Sequence, residues 1–204
     1  MSENDIDFLR INIFVLGNAA VGKSSFILRF CRNDFKDHYM TTIGIDFMAK
    51  SSVLPNGKNS KICFYDTAGE EKYKSVSFNL IKNADGVLLM YDITNKESFD
   101  SINGWLVSIR ENRGNDFPII LVGNKTDLNE KRLISKEDGE KEAEKNGINF
   151  FETSNKDGTN IDECVFSLAS KIAEKMEKDN NKKASEKIKW DKNSIKAKKN
   201  KCKC

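Results

Sequence analysis

Short apolar runs alternate with amphipathic helical stripes along most of this chain, and few folds accommodate that alternation. Phe8–Leu16 reads as a strand that stops at Gly17. Gly22–Arg32 reads as a helix with Phe26, Ile27 and Phe30 on one face. Asp46–Leu54 and Lys61–Tyr65 read as a second and third strand around Pro55, Asn56, Gly57 and Lys58, a strong turn signal. Val87–Tyr91 and Ile119–Val122 are continuous apolar runs, the pattern of strands buried on both sheet faces. Phe99, Ile102, Leu106 and Ile109 form one helical stripe; Ile161, Val165, Leu168 and Ile172 form another. Ser135–Asn146 is a highly charged helix with Gly147 where a C-cap belongs. Strands alternating with helices predict an α/β domain, with a mostly parallel sheet and helices on both faces.

Composition narrows the class further. The 204 residues, 38% of them hydrophobic, suffice for one domain with a proper core. The formal charge of +3 is unevenly spread: Lys171–Cys204 holds 13 lysines against 5 acidic residues, a net +8, which leaves the body at about −5. An acidic body with a basic tail is not a nucleic-acid binder's charge pattern. The longest apolar stretches, Val87–Met90 and Pro118–Val122, fall far short of the roughly 20 residues that cross a bilayer. Met1–Asp7 is polar and acidic, unlike a signal or transit peptide. Cys31, Cys63 and Cys164 stand singly in core-like segments, which suits a reducing cytosol, and His38 is the only histidine, so no zinc set is visible. After about Lys178 the apolar stripe fades into lysine and asparagine, the composition of a solvated tail.

The first strand ends in Gly17-Asn18-Ala19-Ala20-Val21-Gly22-Lys23-Ser24 and runs directly into a helix. This G-x-x-x-x-G-K-S spacing suits a phosphate cradle. Its glycines let backbone N–H groups curl round phosphate, Lys23 reaches the β- and γ-phosphates, and the Ser24 hydroxyl can ligate Mg²⁺. The helix N-terminus favours an anion as well. A chance match to four constrained positions arises in about one such chain in a hundred. Asn124-Lys125-Thr126-Asp127 follows the Ile119–Val122 strand and indicates the base. A carboxylate accepts both the ring N1–H and the 2-amino group of guanine, a pair adenine lacks, and a buried carboxylate left unpaired is costly.

With these two motifs the chain resembles a Ras-superfamily small GTPase of the Rab family. The resemblance covers roughly Phe8 to Met176 and includes Thr42-Ile43-Gly44-Ile45-Asp46-Phe47, Asp66-Thr67-Ala68-Gly69 and Glu152-Thr153-Ser154-Asn155-Lys156. It implies the P-loop GTPase fold: a six-stranded sheet, mostly parallel with the second strand antiparallel, flanked by five helices. It divides the chain into an N-terminal extension (1–7), a GTPase domain (8–178) and a flexible basic tail (179–204). It implies binding of GTP or GDP with Mg²⁺ and hydrolysis of GTP, as a switch in vesicle-mediated trafficking. Thr42 would close over Mg²⁺ and the γ-phosphate, Asp66 would hold Mg²⁺, and the Gly69 N–H would meet the γ-phosphate. Gly17–Ser24 and Ser25 would line the phosphate site, and Phe35 would pack against the guanine edge. Lys125 and Lys156 would flank the base, with the Ser154–Asn155 backbone touching its carbonyl oxygen. The implied partners are an exchange factor, a GTPase-activating protein, a GDP-dissociation inhibitor or escort protein, and effectors recruited through Thr42–Phe47 and Glu70–Leu80. A monomer is expected.

The chain departs from the family in places. Glu70 stands where the family has the glutamine that orients the attacking water. A carboxylate still accepts from that water, but it cannot donate to a phosphoryl oxygen and its charge faces an anionic transition state. Slow intrinsic turnover is expected, and the alternative is a GTP-binding recruitment module with negligible hydrolysis. The family's Phe–Trp–Tyr effector trio corresponds here to Phe47, Tyr65 and Leu80. Asn155 replaces a usual alanine, with a small effect expected because the contact is through backbone. Cys202-Lys203-Cys204 resembles the Rab ending that takes two geranylgeranyl groups, and the lysines before it favour anionic cytoplasmic leaflets. The expected location is the cytoplasmic face of endomembranes, with a soluble cytosolic pool.

Overall fold

The computed structural model describes residues 8–35, 45–67 and 81–201. Its strands are β1 (Leu9–Leu16), β2 (Ile45–Val53), β3 (Asn59–Thr67), β4 (Gly86–Asp92), β5 (Ile119–Asn124) and β6 (Asn149–Thr153). Its helices are α1 (Lys23–Arg32), α2 (Lys96–Asp100), α3 (Ile102–Arg113), α4 (Lys136–Asn146) and α5 (Ile161–Lys201). One sheet runs β2-β3-β1-β4-β5-β6, and only the β2–β3 pair is antiparallel. The turn expected between β2 and β3 closes through Leu54 N–H to the Lys58 carbonyl (2.9 Å) and Gly57 N–H to the Leu54 carbonyl (2.8 Å). β3 is longer at both ends than the run of apolar residues suggested, because its polar termini continue the ladder with β2.

Alternation along the strands builds two cores. Ile11, Ile13 and Val15 of β1 face α1 and α5, where Phe26, Ile27 and Phe30 meet Val165, Leu168 and Ile172. Phe14 and Leu16 face the opposite way, with Val87, Leu89 and Tyr91, and are covered by Ile102, Trp105, Leu106 and Ile109 of α3. β4 and β5 are buried along their whole length, as continuous apolar runs require. Parallel register also lines up the polar ends of the strands. Val15 pairs with Asp66, and Asp92, Asn124 and Thr153 lie in a row across β4, β5 and β6.

Two helices differ from the sequence reading. The stripe from Phe99 to Ile109 is divided at Ser101, where α2 ends and α3 begins. The last helix continues to Lys201, beyond the end near Lys178 that the fading apolar stripe suggests. No Gly or Pro interrupts residues 174–201, and Lys, Glu and Ala are strong helix formers, so local propensity carries the backbone past the end of the apolar stripe. Met1–Asp7 lies outside the described residues. The charged helix is closed by Gly147 as expected, and at its other end the Ser135 hydroxyl caps α4 by accepting the Asp138 N–H (3.1 Å).

Gly139 of α4 sits against Tyr91 and Phe150, and a Cβ there would lie 2.6 Å from the Tyr91 hydroxyl and 2.5 Å from Phe150 Cζ. Gly104 of α3 has open space at the same position. Gly139→Ala is therefore expected to lose about 1–2 kcal/mol, overpacking outweighing the gain in helix propensity, whereas Gly104→Ala gains about 0.5–1 kcal/mol. Urea unfolding of the two variants checks this; equal effects would refute the close packing at Gly139.

Candidate functional site

The loop between β1 and α1 is folded back on itself by its neighbours. Gly17 has φ +138°, and a Cβ there would collide with the Met90 carbonyl oxygen of β4. Only glycine lets the loop leave the sheet this close to the next strand. Lys23 is buried inside the loop, its ammonium donating to the carbonyls of Gly17 (3.0 Å) and Asn18 (2.8 Å). Burial lowers its pKa to about 8, with the nearby Asp66 charge acting in the opposite direction. The group is thus held by weak neutral acceptors at a helix N-terminus, where an anion would be a stronger partner.

Asp66 reaches the same place from β3, because its pairing with Val15 sets it level with the start of the loop. The Ser24 hydroxyl donates to the Asp66 carboxylate. A hydroxyl and a carboxylate side by side are hard oxygen ligands, the donor set Mg²⁺ takes, usually while keeping several waters. Among the described residues no group of three or more His, Cys, Asp or Glu side chains lies together, so this pair would share any ion with other oxygens.

The second half of the site is joined to the first by side-chain amides. Asn124, fully buried at the end of β5, donates to the Val21 carbonyl (2.8 Å) and accepts from the Thr153 hydroxyl (3.1 Å). Its amide is used inside the protein rather than turned to a ligand. Lys125, at φ +73°, pairs with the buried Asp92 (2.6 Å). Asp127 accepts from the Ser154 hydroxyl (2.8 Å) and is exposed, not buried as the specificity argument assumed; the burial would have to come from the base itself. Ser154 is fully buried, and its carbonyl accepts the Gly158 N–H (2.9 Å) while its N–H donates to the Thr159 carbonyl (3.2 Å).

Other side chains around the loop have partners that the sequence does not specify. Asn18 turns its side chain out of the loop: it donates to the Ser101 hydroxyl (3.1 Å) and accepts from the Trp105 indole (3.0 Å). Ala19 and Ala20 are exposed, and Val21 is buried. The Asn155 side chain is also buried, and donates to the Gly22 carbonyl (2.9 Å). Arg29 of α1 carries no role in the sequence analysis. It donates to the Asn155 carbonyl (2.6 Å) and to the Lys156 carbonyl, and its guanidinium lies 6.0 Å from the centre of the half-buried Phe35 ring. Spacing alone carries no signal for a contact 126 residues away in sequence. Phe47 is 48% exposed and meets Tyr65 edge-on at 5.3 Å, and Tyr65 stacks on Phe14 at 4.6 Å. Thr42, Gly69, Glu70, Leu80, Cys202 and Cys204 lie outside the described residues.

Lys125→Met would leave the buried Asp92 carboxylate without its cation. The expected loss is about 3 kcal/mol by chemical denaturation, with more than half recovered on adding Asp92→Asn. An unchanged midpoint in the single variant would show that the pair is not structural.

The sequence pattern of the Ras family matches residues 12–174. Ras-related protein Rab-8B of Homo sapiens is 40% identical over 170 residues, which cover 83% of this chain and 81% of that protein. Ras-related protein Rab-13 of Canis lupus familiaris is 42% identical over 160 residues (78% of each chain), and Ras-related protein Rab-3C of Bos taurus is 38% identical over 175 (86% and 76%).

Proposed function

Because the chain belongs to the Rab small GTPases of the Ras family, GTP hydrolases of membrane trafficking, we propose that the loops just described form its nucleotide site. The observation that carries this reading is convergence. Lys23, Ser24 and Asp66 meet at one end of the sheet, and two amides fasten their loop to its neighbours: Asn124 from the segment that bears Asp127, and Asn155 from the loop after β6. In this reading the N–H groups of Gly17–Ser24, with Ser25 following, cradle the phosphates, and the Lys23 ammonium exchanges two carbonyls for β- and γ-phosphate oxygens. Ser24, Asp66 and Thr42 would hold Mg²⁺, which when bound neutralises charge on those oxygens. Asp127 accepts the guanine N1–H and 2-amino group, Lys125 and Lys156 flank the base, the Ser154–Asn155 backbone meets its carbonyl oxygen, and Phe35 packs on its edge.

Hydrolysis is water attack in line with the bond to the leaving β-phosphate oxygen of GDP, and Lys23 stabilises charge gathering there. Thr42 and Gly69 touch a phosphoryl group that the reaction removes, so both segments relax afterwards. Glu70 accepts from the water but offers no donor to the phosphoryl oxygens, which makes intrinsic turnover slow. Negligible turnover, a pure recruitment module, is the second reading, and Glu70 is its support. Residues 8–178 act as the switch and 179–204 as its tether, with Cys202 and Cys204 as lipid acceptors. Two chains plus a polybasic stretch give stable attachment to cytoplasmic leaflets, with a soluble pool. No helix among the described residues is long and apolar enough to cross a membrane. Exchange factor, activating protein and GDP-dissociation inhibitor act on the monomer, and effectors dock on Thr42–Phe47 and Glu70–Leu80.

Titration calorimetry on nucleotide-stripped protein tests the site: GDP and GTP are expected to bind at least a hundredfold more tightly than ATP, and equal affinities would defeat the assignment. Single-turnover hydrolysis tests the chemistry. Glu70→Gln is expected to be about tenfold faster than wild type, roughly one transition-state hydrogen bond regained; equal rates would remove residue 70 from the reaction.

A further inference from the structure

We propose that Asn155 is a positioning residue that latches the base-recognition loop onto the phosphate loop and thereby slows release of bound nucleotide. The inference rests on the nucleotide site proposed above and adds a control on its off-rate.

The Asn155 side chain is 5% exposed, and its amide crosses from the loop after β6 to the Gly22 carbonyl at the start of α1. A carbonyl oxygen only accepts, so the group facing Gly22 is the NH₂ and the orientation of the amide is settled. The same Gly22 oxygen is the first acceptor of α1, taking the Phe26 N–H (2.9 Å). Gly22 has φ +100°, and a Cβ there would lie 2.7 Å from the Asn155 Nδ2, so the contact requires glycine at this position. Asn124 does the same to the preceding carbonyl, that of Val21. Two successive carbonyls of the phosphate loop are thus held from outside, each by an amide from a different base-recognition segment. A trans peptide points its N–H opposite to its C=O. Holding the oxygens of Val21 and Gly22 on one side therefore keeps the N–H groups of Gly22 and Lys23 turned to the other.

Asn155 is itself held at both ends. Its carbonyl accepts from Arg29 in the middle of α1, and its side chain grips the start of the same helix. The loop cannot move away from the base without breaking one of these bonds. An alanine would keep the Arg29 bond and lose the arm. Among the described residues the buried Asn155 Oδ1 has no hydrogen-bond partner, so an asparagine chosen merely to fill space would be a poor choice. The NH₂ bond to Gly22 is what its amide contributes.

The test is displacement of a fluorescent GDP analogue from the full chain in Mg²⁺, chased with excess GDP. Asn155→Ala and Asn155→Leu are each expected to release it about fivefold faster than wild type, the worth of one neutral hydrogen bond. Leu matches Asn in shape without the donor, so a packing role would leave Leu at the wild-type rate; that result, or a wild-type rate in Ala, overturns the latch. Amide exchange in the wild-type GDP complex needs no variant: the Asn155 NH₂ is expected to carry one protected proton, and free exchange of both would also overturn the proposal. Wild-type protein that retains no GDP analogue would instead defeat the nucleotide site, and the latch with it.

Discussion

A lysine ammonium buried in a curl of backbone governs this molecule. Lys23 has lost most of its water and has two carbonyl oxygens in return, a poor exchange that burial registers as a lowered pKa. Such a group remains charged only where the surroundings are polar and aimed at it. The loop carbonyls and Asp66 meet that need, against the opposing potential of the helix start, and each is held by something further away. The loop's shape thus depends on contacts that no segment could make alone.

The sheet makes those contacts possible. Parallel strands of matched register end together, so Asp66, Asp92, Asn124 and Thr153 arrive at one edge from four places in the chain. The apolar faces beneath them set the distances. Ile11, Ile13 and Val15 pack toward α1 and α5, while Phe14 and Leu16 pack toward α3, and a slip of one residue in β1 would exchange the two sets. Register required by burial is therefore also the register that sets Asp66 beside Ser24. Core packing and site geometry are one constraint.

Much of the architecture was legible because it is local. β4 and β5 are continuous apolar runs, α1 and α3 carry stripes at helical spacing, and the turn after β2 has the residues a tight turn needs. β6 was not legible from its own pattern: Asn149–Thr153 is five residues long at a sheet edge, half-buried, with no clean alternation. The end of α5 was misread because the apolar stripe stops at a point where helix propensity does not. In the site, residue types were legible but the direction of their side chains was not. Asn18 and Asn124 sit inside motifs that suggest ligand contact, yet both spend their amides on the protein.

The amino-acid order by itself determined a glycine-bearing loop between a strand and a helix, an Asn-Lys-Thr-Asp segment after β5, and a chain built for alternating layers. Those features depend on spacing over a few residues, where backbone geometry leaves little choice. The tertiary structure decided which side chains serve the loop and which serve each other. Arg29, Asn155, Trp105 and Asp92 act across separations that no local pattern encodes, and only packing two helical layers on a common sheet brings their donors and acceptors within a hydrogen bond's reach.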